Sequence, residues 1–492
     1  MSHEQVAPAR GFQRWAIALG VIALGLIILE AVTHAPPVPV GGHADEHGGG
    51  HGVPPPMVMI APFAGLLLSI AILPLLPATS HWWEHNKNRF GVAMAFAAMT
   101  LLYYAFSGGL TAVRGVLVHA VFDEYIPFIV LLFSLYVISG GISLKGDVPA
   151  HPATNTAFLG LGALLASFVG TTGASMLLIR PLLQTNQERK HVTHTVIFFI
   201  FLVSNIGECL LPIGDPPLFL GYLRGVPFLW TLVLWPEWLI CTVALLAIYY
   251  AWDTIAYRQE EKIDIVSDEL IREPLTLNGK INFLFLLGVV LCVALIKPGE
   301  PLPGGGPVAP PLVREMAMLA LVGASLLATP KWVRMDNQFN YHAIIEVAAL
   351  FIGIFICMQV PIEILRASGE TLSQVIKHPW HFFWFTGALS SFLDNAPTYV
   401  VFFETADTMT PPGTPGVVTL LDGTVIRETW LIAISLGAVF MGAMTYIGNG
   451  PNFMVKSIAE QSGVRMPSFF GYMLYSVGIL VPLFIIITVV ML

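Results

Sequence analysis

The stretch Gly387–Thr405, GALSSFLDNAPTYVVFFET, places charged and polar side chains inside a strongly apolar sequence. It carries Asp394, Asn395 and Thr398, together with Pro397, a residue that cannot continue an ideal helix. A carboxylate at membrane depth is costly, so it normally faces a cavity and a polar partner. Apolar segments that break beside such a group form the binding sites of secondary transporters. We therefore predict a helix break at Pro397 and a binding site at Asp394 and Asn395.

The composition excludes a soluble multidomain protein. Of 492 residues, 55% are hydrophobic and 11% are charged, and the mean hydropathy is +0.75. Repeated apolar runs of about twenty residues predict an all-α polytopic membrane protein, and the short alternating segments of a β-barrel are absent. The four cysteines are scattered through apolar runs without metal-ligand spacing. The sequence shows no nucleotide-binding loop, nucleophile elbow or basic patch, so we expect neither an enzyme nor a nucleic-acid partner.

An internal duplication is the second organising feature of the chain. Gly162–Ser175, GALLASFVGTTGAS, is similar to the quoted stretch, and Ile213–Phe219, IGDPPLF, is similar to Ile447–Phe453, IGNGPNF. The two matches occur in the same order at offsets of 224 and 234 residues. Either match alone would be weak, but two in register favour a repeated unit.

The repeat organises the chain into four parts. Residues 1–56 form an N-terminal extra helix or a cleaved signal peptide followed by a His/Gly/Pro-rich linker, and 253–279 form a cytoplasmic connecting loop. The first repeat, 57–252, and the second, 280–492, each contain five transmembrane helices and one re-entrant hairpin. The spans lie near 57–77, 90–107, 124–142, 194–213 and 228–252, and near 280–297, 314–329, 343–361, 429–448 and 468–491, with hairpins at 156–182 and 380–404.

Five crossings in each half place the halves in opposite orientations, which makes an inverted repeat with broken helices at the midplane. With the N-terminus inside, sixteen of the 23 Lys and Arg residues lie on the cytoplasmic side. This bias matches the positive-inside rule. We therefore expect a multi-pass protein of the inner (plasma) membrane, with its first hairpin open to the cytoplasm and its second open to the outside.

Polar residues at the other breaks complete the candidate site. Ser204–Pro217, SNIGECLLPIGDPP, carries two acids and an amide, and its glycine and prolines should unwind the helix and free carbonyl groups for a cation. Hydroxyl groups of the first hairpin and polar groups of the second broken helix would face them. The further candidate residues are Asn205, Glu208, Asp215, Thr171, Thr172, Ser175, Thr445, Asn449 and Asn452.

These motifs resemble a known family. SFLDNAPT, Ser391–Thr398, resembles the hairpin signature of the ion transporter superfamily, especially the LDN-x-PT tip of NhaD-type sodium/proton antiporters. LLPIGDPP, Leu210–Pro217, resembles the SPIGD segment of that family, and Ile72–Phe90 is similar to sequences described as citrate transporters. The resemblance covers about residues 57–491 and implies a scaffold domain, a mobile transport domain and a homodimer. The chain departs from it at Gly170, where NhaD-type relatives tend to carry an acidic or amide residue.

The leading hypothesis is a sodium (cation)/proton antiporter, in which Asp394 and Asp215 hold either Na⁺ or a proton. Because burial disfavours the charged form of a carboxyl group, such a group can exchange a proton near physiological pH. The alternative is a sodium- or proton-coupled citrate or dicarboxylate symporter, whose substrate would meet helix N-termini and Lys456. A membrane-embedded subunit or receptor that transports nothing is a third reading. No resident cofactor is expected, because Na⁺ and H⁺ are cargo, and the other partner is membrane lipid.

Overall fold

The computed structural model describes residues 54–74, 76–261, 274–301, 306–368, 371–372 and 376–491. These residues are mostly helical, as the composition predicts. Within them, six helices are long and apolar enough to cross a membrane. They are Asn86–Ser139, Pro152–Val169, Thr193–Leu210, Phe228–Tyr257, His342–Ala367 and Phe469–Val490. The N-terminal helix or signal peptide, the His-rich linker and positions 262–273 of the connecting loop lie outside the described residues.

The first half consists of four helices, a hairpin, a broken helix and a final long helix. Its helices are α1 (Ala61–Ile72), α2 (Ser80–Trp83), α3 (Asn86–Val118), α4 (Ile126–Ser139), α5 (Pro152–Val169), α6 (Thr171–Thr185), α7 (Thr193–Leu202), α8 (Pro216–Leu223) and α9 (Trp235–Tyr257). Short 3-10 helices precede α1 at Met57–Ile60, interrupt the broken helix at Ile206–Leu210 and precede α9 at Phe228–Leu234. The first hairpin is α5 and α6, and the first broken helix comprises α7, Ile206–Leu210 and α8.

The second half also contains a hairpin followed by a broken helix and a long helix. Its helices are α10 (Ile281–Leu295), α11 (Val313–Ala328), α12 (Lys331–Asp336), α13 (His342–Cys357), α14 (Gln359–Ala367), α15 (Pro379–Ser390), α16 (Asn395–Thr408), α17 (Glu428–Met441), α18 (Gly450–Gln461) and α19 (Phe469–Val490). A 3-10 helix, Gly442–Met444, follows α17. The second hairpin is α15 and α16, and the second broken helix comprises α17, Gly442–Met444 and α18.

Two short ribbons add the strands of the structure. Strands β1 (Ser143–Lys145) and β2 (Thr276–Asn278) pair antiparallel and join the two halves of the chain. Strands β3 (Val417–Thr419) and β4 (Val425–Arg427) pair antiparallel in the connection between the second hairpin and the second broken helix. Neither ribbon closes into a barrel.

Helix packing brings the second hairpin close to the second broken helix. Helix α15 packs against α17 so tightly that a Cβ atom at Gly387 would lie 2.0 Å from the sulfur of Met441. One contact between the halves is aromatic, since Phe128 stacks on Phe351 with ring centroids 4.8 Å apart. Glycine at position 387 therefore sets how closely the hairpin approaches the break that carries the candidate site.

The expected spans near 90–107 and 124–142 follow one another in α3 and α4. Gly109 adopts φ 69° and kinks α3 just beyond the first expected span, and a π-helical turn, His119–Tyr125, leads into α4. One expectation about a helix boundary was wrong. Pro397 does not mark the break in the second hairpin. Helix α15 ends at Ser390, and Pro397 lies in the first turn of α16, where a missing N–H leaves no hydrogen bond unmade.

Candidate functional site

Four helices begin where the hairpins and broken helices meet. The residues that cap their N-termini are Gly170 for α6, Asp215 for α8, Asp394 for α16 and Asn449 for α18. Gly170 adopts φ 73°, a conformation that disfavours residues with a Cβ atom. Asp215 and Asn449 share an extended backbone, as expected for Asp215 from the proline that follows it. Gly170 and Asp394 therefore each precede the second helix of a hairpin, and Asp215 and Asn449 each precede the last helix of a broken helix.

Hydrogen bonds connect these four breaks to one another. The Thr171 backbone N–H donates to the Gly214 carbonyl at 3.3 Å, which links the first hairpin to the first broken helix. The Thr445 hydroxyl donates to the Ser391 carbonyl at 2.5 Å, which links the second broken helix to the second hairpin. Side-chain contacts between Asn395 and Asp215, and between Asn449 and Glu208, connect the two halves.

Asp215 and Asn395 form the first of these contacts between the halves. The Asn395 amide donates to both carboxylate oxygens of Asp215, at 3.0 and 3.2 Å, and both side chains are buried. Asp394 lies beside them with its carboxylate oxygen 3.1 Å from the Ala396 backbone N–H, so it caps its own helix. The structure therefore places an amide, rather than the second acid, directly against Asp215.

Glu208 and Asn449 form the second contact. Glu208 is fully buried in the 3-10 helix Ile206–Leu210, and its Oε1 accepts from the Asn449 amide at 3.2 Å. Its other oxygen, Oε2, has no hydrogen-bond partner among the described residues, although the Thr171 hydroxyl is close to this carboxyl group. The polar side chains around the Glu208 carboxyl group are therefore the Asn449 amide and the Thr171 hydroxyl.

Amide groups hold the two broken helices together behind these acids. Asn205 donates to the Ile200 carbonyl and to Asn452, both at 2.8 Å. Asn452 in turn donates to the carbonyls of Gly442 and Thr445 at 2.8 and 2.9 Å. Asn205 and Asn452 are therefore committed to carbonyl groups freed by the helix breaks, which is a structural use of residues predicted to bind an ion.

The predicted hydroxyl groups divide between the site and the backbone. Ser175 lies 2.9 Å from Ser204, beside the first broken helix. Thr398 donates to the Asp394 carbonyl at 3.0 Å, within its own helix. Thr172 is partly exposed, unlike buried Thr171 and Ser175. The twelve predicted residues all lie on these hairpin and broken-helix elements, but their ligand roles stay predictions.

Two serines that were not predicted support the breaks. Ser167 donates to the Gly207 carbonyl at 2.6 Å, and Ser391 lies 3.2 Å from the Met441 carbonyl. Each serine therefore holds the turn that interrupts the neighbouring broken helix. The available signal was the dipeptide Ser-Phe that the two similar stretches share, at Ser167–Phe168 and Ser391–Phe392.

Among the residues that the structure describes, no basic side chain forms an ion pair with the three acids. Within the described ranges, no ion pair includes Glu208, Asp215 or Asp394. Lys456 pairs with Glu460 at 3.2 Å and lies over the ring of Tyr446. The described part of the chain also holds no group of three His, Cys, Asp or Glu side chains arranged for a metal ion. Any bound cation would have to rely on amide, hydroxyl and carbonyl oxygens beside a carboxylate.

Comparisons with known proteins place the chain in a family of transporters. A search of curated proteins finds no match to it. A family model, in contrast, matches nearly its whole length, including both hairpins and both broken helices. Together with the apolar helices, this match identifies a multi-pass membrane protein and a secondary transporter. The chain belongs to the family described as "Putative citrate transport", whose model matches residues 53–492.

Proposed function

We propose that this chain is a cation/proton antiporter that works by alternating access. The observation that carries the proposal is the set of three acids, Glu208, Asp215 and Asp394, at the meeting point of four helix breaks without a basic partner among the described residues. A carboxylate placed in this way needs either a proton or a metal cation to balance its charge. Competition between the two for one group is sufficient for exchange.

Asp215 and Glu208 are the proposed cation and proton carriers, with Asp394 beside them. Asn395 and Asn449 can donate to a carboxylate, and their amide oxygens can also face a cation after a rotation of the side chain. The freed carbonyl groups and the hydroxyls of Thr171 and Ser175 are hard oxygen ligands suited to Na⁺. A proton would replace the cation without a change in the surrounding backbone.

The second candidate function is a cation-coupled symporter of citrate or a related dicarboxylate. The description of the family favours it. The N-termini of α6, α8, α16 and α18 also meet at the site, and helix N-termini attract anions. Against it, Lys456 is committed to Glu460, and three acids repel an anion unless cations bind first.

Proteoliposomes with an imposed pH gradient separate the two functions. If the protein is an antiporter, addition of Na⁺ or Li⁺ alone should dissipate the gradient. If nothing happens until citrate is supplied and citrate then accumulates inside, the symporter is correct. Empty liposomes and liposomes carrying an Asp215→Asn protein are the controls, because both should keep the gradient in the presence of Na⁺.

The inverted repeat, the inner-membrane location and the homodimer are parts of the same proposal. The repeated order of hairpin and broken helix supports the first of these. Single cysteines at Gln184 and Thr414, both partly exposed, test it in a chain without its four native cysteines, in intact cells and in inverted membrane vesicles. A membrane-impermeant reagent should label Gln184→Cys only in inverted vesicles and Thr414→Cys only in intact cells. Reaction of both from one side would contradict the opposite orientation of the hairpins.

A further inference from the structure

A second contact joins the two helices that begin at Asp215 and Asn395. Arg224 caps the C-terminus of α8, and its Nε lies 3.1 Å from Oε1 of Glu404 in α16. Asp215 and Asn395 are 180 positions apart in the chain, and so are Arg224 and Glu404. Helices α8 and α16 therefore run side by side in the same direction from the candidate site.

The space between these two contacts is closely packed. Gly221 faces Tyr399 so closely that a Cβ atom at this glycine would lie 2.4 Å from the tyrosine oxygen. Tyr399 is 1% exposed and Glu404 is 4% exposed. Helices α8 and α16 thus meet at three places. The Asn395 amide contacts the Asp215 carboxylate at the candidate site, Gly221 and Tyr399 pack closely in the middle, and Arg224 and Glu404 form a buried ion pair at the far end.

Arg224 and Glu404 each have one more partner, and these partners lie outside α8 and α16. Nη2 of Arg224 contacts Glu124 in the π-helical turn His119–Tyr125 at 2.5 Å. Oε2 of Glu404 contacts Arg366 of α14 at 3.0 Å. Arg224 and Glu404 therefore take part in two kinds of ion pair. Their own pair lies between α8 and α16, whereas the pairs with Glu124 and Arg366 join these helices to their surroundings.

We propose that Arg224 is a positioning residue, which aligns α8 with α16 through Glu404 and so fixes how Asp215 meets Asn395. The inference rests on the proposed function, because it concerns binding at that site. Arginine suits this role, since its planar guanidinium presents separate donors in a fixed geometry to two carboxylates. A helix pair held at both ends keeps the amide of Asn395 between the two oxygens of Asp215.

Transport kinetics in proteoliposomes distinguish the contact that aligns α8 with α16 from the contacts that join these two helices to their surroundings. Arg224→Gln and Glu404→Gln break the contact within the helix pair, and both should raise the KM for the transported solute about tenfold. Glu124→Gln and Arg366→Gln leave that contact in place, and their KM should stay within about twofold of the wild-type value. Na⁺ and citrate are both assayed. Equal KM values in all four variants, or an unchanged KM in Arg224→Gln, would overturn the proposal.

Hydrogen exchange gives a test that does not depend on transport. Arg224→Gln should accelerate amide exchange at positions 392–398, which lie six to twelve residues before Glu404 in the sequence, whereas Glu124→Gln should not. Unchanged exchange at 392–398 in Arg224→Gln would overturn the alignment role. If Arg224→Gln does not fold, Glu404→Gln, which breaks the same contact, is judged by the same criteria. If the wild-type protein moves neither Na⁺ nor citrate, the proposed function fails, while the exchange result still decides the role of Arg224.

Discussion

Asp253 and Asp215 are both buried carboxylates, and their negative charges are balanced in different ways. Asp253 is fully buried, and it accepts hydrogen bonds from Arg189 at 2.6 Å and from His194 at 2.8 Å. Asp215 is equally buried, but its hydrogen bonds within the described residues come from the neutral amide of Asn395. The first carboxylate belongs to a buried ion-pair cluster, and the second faces a partner that cannot neutralise it.

The difference separates a structural acid from a candidate transport acid. A buried carboxylate with a guanidinium partner is held in its charged form, and removal of either member leaves the other uncompensated. A buried carboxylate with an amide partner can be balanced by a proton or by a cation instead. We therefore expect substitutions at Asp253 to change stability, and substitutions at Asp215 to change transport.

The largest effect is expected for Asp253→Asn. The change leaves the Arg189 guanidinium buried with Glu260, 3.7 Å away, as its remaining acidic neighbour. Breaking a buried pair costs roughly 3–5 kcal/mol, and we expect the lower end of that range in the free energy of unfolding. Thermal unfolding in detergent measures it. The KM for Na⁺ of the folded fraction should be unchanged. A raised KM would contradict the purely structural role of Asp253.

The next effect is the loss of transport in Asp215→Asn. The asparagine keeps the size of the side chain and can still accept from Asn395, but it cannot trade a proton for a cation. We expect Na⁺-dependent proton movement to fall by at least about 100-fold, which corresponds to roughly 2.8 kcal/mol. The melting temperature should stay close to that of the wild type.

A matched control for both substitutions is Asp336→Asn. Asp336 pairs with Lys145 at 2.8 Å, and both side chains are partly exposed. Exposed ion pairs contribute about 0–1 kcal/mol, so neither stability nor transport should change much. If a well-folded Asp215→Asn protein still exchanged Na⁺ for protons, Asp215 would not belong to the transport mechanism.

Glu208→Gln sharpens the comparison within the site. Glutamine can still accept from Asn449 through its amide oxygen, so the contact between the broken helices survives. The variant loses a titratable group, and we expect transport at pH 7 to fall about tenfold with a changed pH profile. Measurement of exchange rates over roughly pH 6–9, where a proton would compete with the cation for the carboxylate, tests the expected change in the pH profile. A profile identical to that of the wild type would make Glu208 a structural acid like Asp253.

The smallest effect concerns Glu260, beyond the apolar part of α9. Burial raises the pKa of this carboxyl group, but hydrogen bonds from the backbone amides of Lys190 and His191 outweigh it and lower the pKa below 4.5. A lowered pKa contributes stability above pH 4.5, and that contribution is lost as the pH falls through the folded-state value. Glu260→Gln should therefore lower the melting temperature slightly at pH 7.

This small difference in stability between the wild type and Glu260→Gln is tested by measuring its pH dependence. Thermal scans of the wild type and Glu260→Gln should differ at pH 7 by under about 1 kcal/mol in the free energy of unfolding. The two curves should converge as the pH falls below 4.5. A difference that grows on acidification would show that the backbone amides do not stabilise the charged form of Glu260.

The sequence by itself determined where the chain breaks. Apolar runs of membrane length are interrupted at Gly170, Asp215, Asp394 and Asn449, and each of these residues begins a helix in the structure. The reason is local, because proline and glycine restrict or release their own backbone whatever surrounds them. The order of hairpin and broken helix followed in both halves from the same local rules, although Pro397 was misread as the break itself.

The tertiary structure decided which polar groups meet. Asp215 contacts Asn395 rather than Asp394, and Glu208 contacts Asn449, across 180 and 241 positions of sequence. Lys456 pairs with Glu460, one helical turn away, and not with a site acid. Arg224 and Glu404 meet because two helices pack in parallel. Such partners depend on the rotation and spacing of whole helices, which packing between distant segments fixes and no local pattern specifies.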